Sequence, residues 1–318
     1  MLHAPLPMHI PDGFLSILVS LVFWLISILA IGLALKFINK DLGEKKIPLM
    51  GILAAAIFAG QMLNFSVTGG TSGHLLGAAL ATIVVGPWAA VIVMTAVVST
   101  QAIIFQDGGI LALGANLFNM AVLGVAVSHG FYQLIQRLAR AKSWSVFVGS
   151  VVAAWASIFV ASLSAALMLA LSGTSPANIA VPAMAAIHAI IGIGEALITF
   201  GAISFLYAAR KDLFSPHAQA KPVSRLMMAG GILLTLALAI LSPLASSHPD
   251  GLEWVAEQQG FLSSAQNALY EIIPDYVLPG IADERLATIA AGIIGAVLVF
   301  TIAFFTAQSR RQRETVQE

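Results

Sequence analysis

The sequence contains no cysteine, so no disulfide can staple an exported loop and no thiolate can act as nucleophile or metal ligand. Any metal site in this chain must use nitrogen, oxygen or thioether donors. Charge is scarce as well. Asp, Glu, Lys and Arg make up 9% of the 318 residues, too few to clothe a water-soluble domain of this length. The formal net charge is zero, which offers no basic surface to a nucleic acid. No lysine or arginine precedes the apolar run that begins at Phe14. A signal peptide starts with positive charge, so this order predicts a retained first helix with its N-terminus outside. Neither GxxxxGK[ST] nor HExxH occurs, which removes the P-loop route to ATP hydrolysis and the zinc-protease helix.

What is present is apolar. Hydrophobic residues form 59% of the chain and the mean hydropathy is +0.93, so most of the surface must face lipid or other helices. A spanning helix needs about 20 apolar residues. Windows at 14–35, 47–65, 115–136, 145–171, 179–209, 226–245 and 286–307 meet or approach that length. The stretch from Leu75 to Phe105 is too long for one span and is broken by Gly86-Pro87, because proline lacks the amide donor and restricts the residue before it. We read it as a short span, 74–85, turning into a longer one, 88–105. Nine crossings then alternate, and every lysine and arginine except Arg285 falls on the cytoplasmic side, in clusters at 36–46, 137–142, 210–225 and 310–313. Asp12, Asp107, Asp250, Glu253, Glu257, Glu271, Asp275, Asp283 and Glu284 fall outside, where their field attracts cations.

The expected architecture is therefore an all-α, polytopic membrane protein of the cell inner membrane. Its N-terminus is extracytoplasmic and its C-terminus cytoplasmic. Residues 1–210 form a seven-helix bundle and residues 211–225 a basic linker. Residues 226–318 form a module of two transmembrane helices flanking an extracytoplasmic loop.

Chemistry concentrates in the outer loops. Met8-His9-Ile10-Pro11-Asp12-Gly13 stands just before the first helix. If Met8 begins the mature chain, its amine, the His9 amide nitrogen and the His9 imidazole can chelate one ion through fused rings. Three nitrogens in one plane suit Ni(II) or Cu(II), whereas zinc prefers a tetrahedron. The same residues also read as a cap and turn leading into the helix. His74, in the glycine-rich turn after Asn64, is a candidate fourth donor on the same face, or the start of a helix. Gln106-Asp107-Gly108-Gly109 with Asn116 adds oxygen and amide donors, and reads more simply as a turn. His188 and Glu195 lie seven residues apart, on one face of a helix. Ionisable groups there line an ion path or tie helices together, and the tie is the simpler reading. His129 reads as a packed helical histidine, and His3, His217 and His248 as solvated. Gly51, Ala55 and Ala59 form a stripe of small residues, an internal packing surface or a docking face.

MHIPDG, GGTSGHLLG containing His74, QDGGILALGANLFN from Gln106 to Asn119, and HAIIGIGEALIT from His188 to Thr199 together resemble the CbiM/NikM family. These are the metal-capturing S components of energy-coupling factor transporters, and the resemblance runs over residues 8 to about 210. PDGLE from Pro249 to Glu253, followed by Trp254-Val255-Ala256, resembles the accessory NikN/CbiN-like module. The resemblance implies an importer of Ni2+ or, as the alternative, Co2+ for cobalamin synthesis. The ion is the substrate, and no organic cofactor is implied. Met8, His9 and His74 match the family's ligands, with Asn64, Asp107, Asn116, His188 and Glu195 as further pocket candidates. It also implies two partners: a T-component membrane protein similar to NikQ/CbiQ and a cytoplasmic ATPase similar to NikO/CbiO. The chain itself would not be an enzyme; an intramembrane metalloenzyme using His188 and Glu195 is the reading from another class. One departure is that Met1 to Pro7 precede the motif, which predicts translation from Met8 or removal of the extension.

Overall fold

The computed structural model describes residues 8–38, 46–214 and 222–315, with side chains to residue 312. Met1 to Pro7 with His3, and Lys40, Lys45, His217 and Lys221, lie outside the described residues, as does the side chain of Arg313. The chain is a helical, multi-pass membrane protein. Its main helices are α1 (Ile17–Phe37), α2 (Ile47–Gln61), α3 (Ala78–Val85), α4 (Pro87–Ile104), α5 (Leu113–Leu117), α6 (Gly124–Leu138), α7 (Ser143–Leu171), α8 (Ala177–Ala209), α9 (Arg225–Leu241), α10 (Gly251–Gln259) and α11 (Glu284–Thr315). A π-helical turn, Phe118–Leu123, joins α5 to α6 in one run. Among the described residues, seven segments are long and apolar enough to cross a membrane.

Side chains in these spans are sorted by size. On α1, Ile17, Leu18, Leu21, Leu25, Ile28 and Leu29 are exposed, while Ser20, Ser27 and Ala34 are buried. Lipid takes the bulky apolar residues, and small or hydroxylated residues let helices approach. Ser27 accordingly donates its hydroxyl to the Gly114 carbonyl at 2.7 Å. The small-residue stripe of α2 is internal: Gly51 faces the Phe300 ring of α11, and Ala55 and Ala59 are buried.

The expected spans at 47–65 and 74–85 are both shorter as helices than the sequence suggests. α2 ends at Gln61, and an antiparallel hairpin follows, β1 (Phe65–Val67) paired with β2 (Thr71–Gly73). α3 has only eight residues, all buried, so it rises about 12 Å, against a hydrocarbon core of about 30 Å. The residues before it, 74–77, are not helical, and irregular backbone at depth survives only where protein satisfies it. Gln61 Nε2 donates to the Leu76 carbonyl at 2.8 Å. The Glu195 carboxylate of α8 accepts from Leu76 N at 2.7 Å and Gly77 N at 3.0 Å. Gly77, at φ +81°, makes the turn into α3.

Asn116 and Arg137 sit near opposite ends of the continuous run Leu113–Leu138. At Arg137's end, Lys46, Arg140 and Lys211 line one cleft with it. At Asn116's end the N-terminal segment, the hairpin and the α4–α5 loop meet. That end carries the candidate site.

Candidate metal centre

Met8, His9 and Ile10 form a strap before α1, bent at Met8 and His9, and all three are buried. Asn116 clamps the strap in both directions: its Oδ1 accepts from Ile10 N at 3.1 Å and its Nδ2 donates to the Ile10 carbonyl at 3.0 Å. Asp12 fixes the next turn by accepting from Ile110 N at 3.0 Å and Ala112 N at 2.9 Å. The α4–α5 loop is thus more than the turn its sequence suggests. It carries Asp107, whose Oδ1 accepts from Met8 N at 2.6 Å and lies 3.0 Å from His9 Nδ1.

Two nitrogens, Met8 N and His9 Nδ1, therefore converge on one oxygen. His9 Nδ1 also lies 3.2 Å from the Asp107 carbonyl, which places the ring proton on Nδ1 and the lone pair on Nε2. His9 Nε2 is buried with no hydrogen-bond partner. The His74 ring meets the His9 ring nearly edge on, with centroids 5.7 Å apart at 77°. His74 Nδ1 lies 3.0 Å from the Leu75 carbonyl, which by the same logic leaves the lone pair on Nε2.

The electrostatics separate the two histidines. Burial disfavours a charged His9, but the Asp107 carboxylate and its hydrogen bonds outweigh this and hold the His9 pKa above the ordinary value. Burial, reinforced by nearby His9, lowers the His74 pKa and disfavours the charged ring. Asp107 is held below the usual carboxylate range: burial pushes it up, and His9 and the Tyr276 hydroxyl more than reverse that.

A cavity of about 90 Å³ adjoins the rings, lined by Met8, His9, His74, Asn116, His188 and Asp250, among others. His188 reaches it while its Nδ1 lies 2.9 Å from the Met184 carbonyl of its own helix. Glu195 does not line it, because its carboxylate is committed to the backbone before α3. Asn64 does not line it either. It sits beyond the end of α2, where its carbonyl accepts from Ser246 N at 2.8 Å. His129 is half-buried on α6 and His248 is exposed.

The loop between α9 and α11 is part of the wall, which the sequence did not reveal. Pro249 and His248 accept from the hairpin at Ser72. Asp250 caps α10 by accepting from Glu253 N at 2.7 Å. Gly251 packs so closely on α8 that a Cβ there would meet His188 Cε1 at 2.8 Å and Ile191 Cδ1 at 2.9 Å. Tyr276 donates its hydroxyl to Asp107 Oδ2 at 2.6 Å. The PDGLE stretch was visible in the sequence, but nothing in it shows that the loop folds back over the first helices. Among the described residues no three His, Asp or Glu side chains gather as a metal cluster. Met8 N stands beside His9 and Asp107.

Comparison with known proteins agrees in kind. Residues 9–213 match the family described as the cobalt uptake substrate-specific transmembrane region, and residues 224–311 match the PDGLE domain. A chain of Archaeoglobus fulgidus that carries the name of a fused nickel transport protein is 36% identical over 300 residues, covering 93% of this chain and 97% of that one. The fused nickel transport protein of Rhodobacter capsulatus is 33% identical over 293 residues, 86% of this chain and 84% of its own length. A crystal structure described as a truncated transition metal transporter superposes with a TM-score of 0.57 at 36% identity, covering 64% of this chain and 99% of that one.

Proposed function

Because the chain belongs to the cobalt-uptake substrate-specific transmembrane family and carries a PDGLE domain, we propose that this metal-transport protein captures Ni2+ on the extracytoplasmic side. Met8 N, His9 and His74 are the proposed ligands. The carrying observation is the convergence of Met8 N and His9 Nδ1 on one point beside the His74 ring. An ion held by those nitrogens takes the place of the protons that they direct at Asp107 Oδ1. With a nitrogen from His74 the donors are all nitrogen, which favours nickel, and cobalt is the alternative. Asp107, Asn116 and His188 form the surrounding shell; Glu195 acts one step further out by holding the segment that presents His74.

In the chelate with the deepest nitrogen set, Met8 N is a terminal amine. That requires a mature chain beginning at Met8. The basic cleft around Arg137 and Lys211 then faces the cytoplasm of a cell inner membrane, as the charge distribution favours. Residues 1–210 are the capture domain, 211–225 the linker and 226–318 the module that covers the site. Release is driven by ATP hydrolysed in partners, a T component similar to NikQ/CbiQ and an ATPase similar to NikO/CbiO. That the sequence holds no P-loop supports this division of labour. The metalloenzyme reading loses ground, since the Glu195 oxygens are engaged by two amides and face no open position.

The test is elemental analysis of the purified full chain with nickel and cobalt titrations. Nickel at about one per chain, lost in His9→Ala, is the expected result. Equal binding by His9→Ala removes the proposed ligand set, and cobalt uptake that excess nickel does not reduce reverses the order of metals.

A further inference from the structure

Tyr276 belongs to the appended module, more than 160 residues from Asp107 in sequence. Its hydroxyl nevertheless ends on the carboxylate at the heart of the capture site. Two features hold it there against a strained backbone. Ile273 N donates to the Ile104 carbonyl at 3.0 Å and Asp275 N to the Phe105 carbonyl at 3.1 Å, pinning the segment to the end of α4. The Tyr276 ring stacks on Phe105, centroids 4.7 Å apart at 13°, and leans on Phe58. Asp275 and Tyr276 both adopt positive φ, +52° and +58°, a conformation costly for side-chain-bearing residues that persists only where surroundings impose it.

The two oxygens of Asp107 are thereby divided. Oδ2 takes the Tyr276 hydroxyl, and Oδ1 is left to Met8 N and His9 Nδ1. A carboxylate held by one oxygen cannot rotate freely, so the nitrogens it receives are gathered before an ion arrives, and less ordering remains to be done on binding. We propose that Tyr276 is a positioning residue for metal capture, acting through Asp107 to converge Met8 N and His9 Nδ1. The appended module in this view completes the capture site as well as covering it. This rests on the metal reading above and adds to it a residue outside the ligand set.

The obvious objection is that Tyr276 only anchors its loop. Tyr276→Phe keeps the ring and its stacking and removes only the hydroxyl. Nickel dissociation constants would be measured on the full chain for the parent, Tyr276→Phe, Asp107→Asn and the double variant, with thermal unfolding of each in a chelator. The expected results are about tenfold weaker binding for Tyr276→Phe, as for loss of one hydrogen bond to a charged group, and less than a twofold further loss when it is added to Asp107→Asn. Non-additivity of that kind marks two residues acting as one unit. Binding within twofold of the parent, or tighter, overturns the proposal, whether or not the unfolding temperature falls. Losses that multiply in the double variant also overturn it, because Tyr276 would then act by another route. A parent chain that binds neither nickel nor cobalt sinks the metal reading itself, a result distinguishable from either of these.

Discussion

Glu195 is the residue on which the local backbone of the site depends most heavily. It is fully buried and accepts from two successive amides, Leu76 N and Gly77 N, where the chain is not yet helical. Glu195→Leu leaves both donors without a partner inside the bundle, at about 1–3 kcal/mol each, hence about 2–6 kcal/mol in all. Glu195→Gln keeps one acceptor oxygen and places a donor against the other amide, so its loss is expected near half of that. At roughly 2–4 °C per kcal/mol for chains of a few hundred residues, thermal unfolding in detergent resolves the three proteins in the order parent, Gln, Leu. His74 lies two residues before Leu76, so nickel affinity should fall in the same order. A Leu variant that unfolds with the parent refutes the capping role. One that is destabilised yet binds nickel with parental affinity separates Glu195 from the presentation of His74.

Other outcomes follow from the same geometry. His74→Ala, which removes an imidazole beside His9, is expected to weaken nickel binding by about a hundredfold in isothermal titration, while His129→Ala leaves it unchanged. Nickel replaces the proton that the Asp107-supported His9 holds, so affinity measured between pH 8 and 5.5 should fall with pH by up to about tenfold per unit per proton displaced; a flat profile argues against His9 as ligand. Gly251→Ala pushes a methyl against His188 and Ile191, and the expected result is faster nickel exchange in stopped-flow competition as the covering segment is lifted. Intact-mass measurement of the membrane-expressed chain should show a start at Met8; a chain retaining Met1 with full nickel affinity removes the amine from the donor set.

The sequence alone was enough for the class of molecule. A chain that is 59% hydrophobic with its basic residues in a few clusters has to be a polytopic membrane protein, since apolar length and charge position act locally and are read directly from residue order. The break at Gly86-Pro87 was legible for the same reason, as proline acts on its immediate neighbours. Met8, His9 and His74 were legible in the sequence as candidate donors, and the close approach of the two histidine rings is what the fold added. That α3 is only eight residues long was not. The residues before it are apolar like a helix, and they stay out of helix because Glu195, some 120 positions away, binds their amides. The role of Asp107 and the presence of Tyr276 beside it were likewise decided by tertiary structure. Apolar patterning says that a segment is buried without saying against what, and a hydrogen bond between Tyr276 and Asp107 leaves no periodicity for a sequence to show.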